Sequence, residues 1–160
     1  MRVQADLSGS SLNQAAEELR RYAKTLDGKA QALCESLAAD AATDAQANCP
    51  TSRVSVGYRA KASGATVYAT GEVVSPADGS YSVPLSHLVE FGTGIGDGAG
   101  YAAEHGFERD VNGHGREGWL YYKDGSFYRT TGQRAHKFMG NAAEQARAGL
   151  ISKAKGVFES

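Results

Sequence analysis

Between Leu12 and Ala47 the apolar positions recur every third or fourth residue: Leu12, Ala15, Ala16, Leu19, Tyr22, Ala23, Leu26, Ala30, Leu33, Leu37, Ala41 and Ala45. That spacing predicts one long amphipathic helix. Ser10 or Ser11 is placed to cap its start, and Asn48-Cys49-Pro50 ends it, because proline restricts the residue before it and cannot continue the ladder. Gly28 is the weak point, costing ~1 kcal/mol against alanine in a helix interior. Leu12, Leu19, Leu26 and Leu33 also fall seven apart, the spacing of a coiled-coil seam. The residues between them are mostly alanine and glycine, too small to fill such a seam alone. The stripe is therefore expected to pack on the chain's own sheet, with intersubunit packing of part of it left open.

Beyond the helix the period changes to two. Arg53 to Tyr58, Ala65 to Ala69 and, less cleanly, Glu72 to Val74 alternate as antiparallel strands do. Ser63-Gly64 and Asp78-Gly79 supply turns. Tyr81 to Leu85 then leads into a strand over His87–Phe91, with Pro84 at an edge because it offers no ladder donor. Trp119–Lys123 and Ser126–Arg129 flank Asp124-Gly125, the strongest hairpin signal in the chain. From Lys137 to Phe158 helical spacing returns, through Phe138, Met139, Ala142, Ala146, Leu150, Ile151 and Ala154. The predicted fold is α+β: a long N-terminal helix, an antiparallel sheet with a projecting aromatic hairpin and loop insert at 95–132, and a C-terminal helix packed on the sheet. One domain spans 1–160.

Composition narrows the function. The 160 residues are 41% hydrophobic, enough for one modest core. Seventeen basic and eighteen acidic side chains leave a net charge of −1, without the cationic excess that drives binding to a phosphate backbone. No apolar run of ~18 residues exists to span a bilayer, and Met1-Arg2-Val3-Gln4-Ala5-Asp6 lacks a signal-peptide core, so a soluble, intracellularly made protein is expected. Cys34 and Cys49 are expected to be free thiols.

Candidate chemistry is sparse. His105, Glu108, Asp110, His114 and Glu117 carry metal-binding or acid–base groups, but the histidines lie nine apart in glycine-rich surroundings, unlike a zinc motif. Gly92-Thr93-Gly94-Ile95-Gly96 follows a predicted strand without the lysine of a phosphate-binding loop. No Gly-x-Ser-x-Gly elbow is present and neither cysteine has a motif histidine. No catalytic set, metal or cofactor is expected. Glu90, between Val89 and Phe91, is expected either to cap the glycine turn after it or to form an intersubunit ion pair with an arginine such as Arg134.

Taken in order, several segments resemble the tail-component family of long-tailed bacteriophages, the neck or tail-completion proteins. They are Cys49-Pro50-Thr51 closing an Ala-rich helix; Leu88-Val89-Glu90-Phe91-Gly92-Thr93-Gly94; Tyr101-Ala102-Ala103-Glu104 and Asp110-Val111-Asn112-Gly113-His114-Gly115; Gly118-Trp119 with its aromatic hairpin; and Thr131-Gly132-Gln133-Arg134-Ala135-His136-Lys137-Phe138-Met139. The resemblance covers roughly Leu12 to Arg147, and departs from the family where Lys137 replaces a common proline.

The resemblance implies a noncatalytic virion protein forming a ring, expected to be hexameric, at the head–tail junction or the top of the tail. It would be made in the host cytoplasm and would meet other neck, tail-terminator and tail-tube proteins. DNA would pass through the channel without sequence-specific binding, and no membrane is involved. Tail terminator and head-closure stopper are neighbouring roles; a small metal-dependent hydrolase using His105, Asp110 and His114 is a distant alternative. The candidate subunit-interface residues are Glu90, Phe91, Trp119, Tyr121, Tyr122, Phe127, Tyr128, Arg134 and Phe138.

Overall fold

The forty residues Gly9–Asn48 form a single helix, α1, that runs through Gly28 without interruption. In this computed structural model the structure describes residues 9–74, 82–93, 99–107 and 118–159. Ser10 and Ser11 lie inside α1, so neither is its N-cap. After Pro50 the chain turns into β1 (Val54–Lys61) and β2 (Gly64–Gly71), an antiparallel pair in the register Val54↔Gly71 to Lys61↔Gly64. The two-residue turn is thus Ala62-Ser63, one position earlier than Ser63-Gly64. Gln46 ties the helix to this hairpin: its amide nitrogen donates to the Val54 carbonyl at 3.3 Å and its amide oxygen accepts from the Val56 N–H at 2.8 Å.

β3 (Val73–Val74) pairs antiparallel with β4 (Val83–Pro84), and the Asp78-Gly79 turn lies outside the described residues. Helix α2 (Leu85–Phe91) follows at once, with Pro84 as its extended N-cap. The strand expected over His87–Phe91 is therefore a helix. Its apolar run is short enough to satisfy either period, and the buried set Ser86, Val89 and Glu90 falls at i, i+3 and i+4, which only a helix places on one face. A short helix α3 (Ala99–Glu104) comes next, then β5 (Trp119–Lys123) and β6 (Ser126–Thr130). Asp124 (φ 52°) and Gly125 (φ 82°) both adopt the left-handed conformation that a two-residue hairpin turn requires. The chain ends its described part on α4 (Phe138–Glu159).

Among the described residues the antiparallel strands thus form three separate two-stranded ladders, in an α+β arrangement framed by two long helices. The core is small: Ala45, Val54, Val89, Phe138 and Ala142, flanked by Cys49, Val56, Ala69, Leu85 and Met139. The C-terminal helix reaches the β1–β2 hairpin at this core and lays most of its length along α1. Lys153 secures that contact by donating to the Ser36 carbonyl (3.3 Å), the Ser36 hydroxyl (3.0 Å) and the Asp40 carboxylate. The leucine stripe packs internally only toward its C-terminal end; Leu12, Leu19, Tyr22 and Leu26 are exposed. Cys34 and Cys49 are both free. No helix among the described residues is long and apolar enough to cross a membrane.

Candidate functional site

Glu90 is 6% exposed, and a buried carboxylate must be met by donors. It finds three. One oxygen, Oε2, accepts from the Met139 N–H at 2.9 Å; the other, Oε1, accepts from the Gly140 N–H at 3.0 Å and from the Tyr101 hydroxyl. Met139 and Gly140 belong to the first turn of α4, whose N–H groups have no partner within the helix and whose dipole favours negative charge. Glu90 is the N-terminal cap of a helix that begins 48 positions later in the chain. Its described partners are thus the start of α4 and Tyr101, not the glycine turn that follows it.

The same junction is bonded through the backbone. The Val89 and Glu90 carbonyls, left open at the end of α2, accept the His136 and Lys137 N–H groups at 3.0 and 3.1 Å. Gly92 follows at φ 72°, where a Cβ would lie 2.5 Å from the Gln133 carbonyl oxygen and 2.6 Å from the Ala135 nitrogen, so only glycine lets the strands pass this closely. Thr93 and Gln133 then exchange backbone hydrogen bonds at 2.8 and 3.1 Å, and the Thr93 hydroxyl also accepts the Gln133 N–H at 2.9 Å. Lys137 sits at φ 53° as α4 begins, and its ammonium lies 4.8 Å from the centre of the Tyr101 ring. A proline cannot adopt that φ.

Tyr101 comes from α3 and lies against Gly140, a position with no side chain to block the ring's approach to Glu90. Burial pushes its hydroxyl well above the ordinary tyrosine range; the hydrogen bond to Glu90 and the charges of Glu90 and Glu144 add to this. It therefore remains a proton donor. Around it, Phe91 packs on Phe107 (4.5 Å between ring centres) and Tyr101 (5.4 Å), while His87 meets Phe107 edge-on at 5.0 Å. The His105 ring lies 4.4 Å from that of Tyr101, tilted 54° to it, and its Nδ1 lies 2.8 Å from the Tyr101 carbonyl oxygen. These rings form one wall of an open, mostly apolar cleft of about 830 Å³, whose other walls are α1, β2 and the start of α4.

Of the nine interface candidates, the structure brings three to this junction. Phe138 is fully buried in the protomer's own core. Glu90 is buried with its donors at the start of α4, and Phe91 is half-buried among the rings. Arg134 is exposed on the segment between β6 and α4. Phe127 and Tyr128 are 73% and 45% exposed on the β5–β6 hairpin. Trp119, Tyr121 and Tyr122 contribute backbone to β5, and their side chains lie outside the described residues. So do Glu108, Asp110, His114 and Glu117. Among the described residues no group of three His, Cys, Asp or Glu side chains could hold a metal ion.

Sequence reasoning missed Tyr101, Met139 and Gly140 as partners of Glu90. The signal available was a lone acid among apolar residues beside a helix start that lacks an acidic residue of its own. No family model matches this chain, and no curated protein or solved structure matches it either.

Proposed function

We propose that this chain is a noncatalytic structural protein of a phage virion. It forms a ring of six subunits at the neck, at the head–tail junction or the top of the tail, around a channel through which DNA passes. One observation carries the reading. The two segments most characteristic of the resembled family, Glu90-Phe91-Gly92-Thr93 and Thr131 to Met139, interlock through Glu90, Gly92 and the Thr93–Gln133 exchange. The described residues between Thr93 and Gln133 therefore belong to an excursion whose two ends are fastened at one point of the body.

A substrate-binding role would draw such an arm over a set of reactive groups. Here its described portions divide differently. Residues 101–107 fold back as a ring-bearing wall, while the β5–β6 hairpin projects with Leu120 and Phe127 65% and 73% exposed. A two-stranded hairpin is marginal in water by itself, which favours an adjacent subunit or the next ring as its support. Near-neutral charge suits a channel that must let DNA slide past.

Deletion of residues 119–130 tests this. Gly118, at φ 82°, lies beside Thr130 and Thr131, so the two ends left by the deletion are already close. The expected product is a folded protomer, by circular dichroism and thermal melting, that no longer assembles and yields particles without joined tails. Infectious particles with normal tails, or absence of the wild-type protein from the neck of imaged particles, would overturn the proposal.

A further inference from the structure

α4 runs antiparallel to α1: Phe138 and Ala142 meet Ala45, and Lys153 reaches Asp40 and Ser36. The few residues from Lys153 to the helix end at Glu159 carry α4 to about the level of Ala30, at ~1.5 Å per residue. The first part of α1, from Gly9 to about Lys29, therefore extends roughly 30 Å past α4. Leu12, Leu19, Tyr22 and Leu26 on that overhang are 52%, 54%, 47% and 37% exposed. Leu33, level with α4, is half-buried, and Leu37 continues the same stripe into the floor of the cleft.

Along the stripe leucine and alanine alternate: Leu12, Ala16, Leu19, Ala23, Leu26, Ala30, Leu33, with Leu37 last. The alanines are too small to pack against one another, but they complement leucine. A second α1 laid antiparallel, with Ala23 opposite the partner's Leu26, sets Leu19 on the partner's Ala30 and Leu33 on the partner's Ala16. The layers from residue 16 to residue 33 then each hold one large and one small residue. Leu12 meets the partner's Leu37 at the mouth of the cleft.

Charge selects this register. Arg20 falls beside the partner's Asp27, and by symmetry Asp27 beside the partner's Arg20, while Tyr22 flanks the partner's Lys29. Sliding one heptad in one direction sets Arg20 against the partner's Arg20; sliding in the other sets Asp27 against the partner's Asp27. A parallel pair brings no opposite charges together at these flanking positions and stacks alanine on alanine.

We propose that the free protein pairs with a second copy of itself through an antiparallel, two-fold contact along residues 12–37 of α1. A two-fold contact uses one patch on both subunits, whereas a closed ring of six uses head-to-tail contacts. This proposal therefore concerns the protein before assembly and stands apart from the ring.

The test uses the full chain. Light scattering and sedimentation are expected to give a dimer. Leu19→Lys with Leu26→Lys should give a monomer with wild-type circular dichroism, whose thermal midpoint no longer rises with protein concentration as the dimer's does. Arg20→Glu should weaken the dimer about tenfold, and Arg20→Glu combined with Asp27→Arg should restore it. Orientation is read by oxidative cross-linking with Cys34→Ser and Cys49→Ser as background. Ala23→Cys mixed with Leu26→Cys should cross-link, and Ala23→Cys alone should not. A wild-type monomer, a dimer indifferent to Arg20→Glu, or cross-linking of Ala23→Cys alone would overturn the proposal. A monomer that still takes its place in the virion neck would sink this contact and leave the ring standing.

Discussion

Replacing Glu90 by glutamine preserves the shape of the side chain but sets an amide N–H₂ group where a carboxylate oxygen had accepted bonds from Met139, Gly140 or Tyr101. At least one buried donor loses its acceptor, and the α4 N-terminus loses a compensating charge. Hydrogen bonds to charged groups contribute about 1.5–3 kcal/mol each, so Glu90→Gln is expected to cost roughly 2–4 kcal/mol in urea unfolding. Tyr101 adds a pH dependence. Its folded proton affinity is raised above the ordinary value of 10.0, so the bond to Glu90 stabilises fully below about pH 10 and is lost as pH rises toward the folded value. Thermal midpoints should fall above pH 10 in the wild type and fall less steeply in Tyr101→Phe. The identity of Glu90 as an unusual residue was visible in the sequence, since it stands alone among apolar neighbours. Its partners were not, because Met139 and Gly140 lie 49 and 50 positions away and present only backbone N–H groups, which every residue type shares.

The elements that could be read from residue order are those whose stabilising pattern is local. α1 and α4 declare themselves through sustained helical spacing, β1–β2 through alternation, and β5–β6 through Asp124-Gly125. α2 could not be read this way. Seven residues give too few repeats to separate period two from period 3.6, and Pro84 suits the start of a helix as well as the edge of a ladder. The fate of the leucine stripe was also illegible, because whether an apolar face finds a partner depends on how far α4 reaches along α1. Lys137 shows an element boundary fixed by tertiary contacts: its φ of 53° and its N–H bond to the Glu90 carbonyl exist only because α2 and α4 abut. Lys137→Pro forfeits both and is expected to destabilise by ~3 kcal/mol or more, whereas Lys137→Gly, which accepts the φ, should cost far less. Denaturant midpoints of the two variants against wild type decide the matter.

At the scale of the molecule, among the described residues nine buried apolar side chains, all but Phe138 from alanine or valine, hold together a helix of forty, a second of twenty-two and three short ladders. Such a core leaves little reserve, and much of the surface it cannot cover lies on the α1 overhang and the β5–β6 hairpin. The Thr93–Gln133 exchange has a consequence for this economy. Two residues that trade both backbone hydrogen bonds have Cα atoms about 5.5 Å apart, so the chain leaves and re-enters the body through a gap that a turn of a few residues can bridge. Closure entropy grows by only ~0.6 kcal/mol per doubling of loop length. The body should then accept foreign inserts between these two threonine and glutamine anchors, short or long, with thermal midpoints offset by the fixed loss of the Tyr101 and Phe107 contacts and otherwise tracking the logarithm of insert length. Differential scanning calorimetry on a graded series would show it. A scaffold with such a socket lets what is plugged in diversify while the frame stays constant, so that new docking specificities arise by exchanging a cartridge.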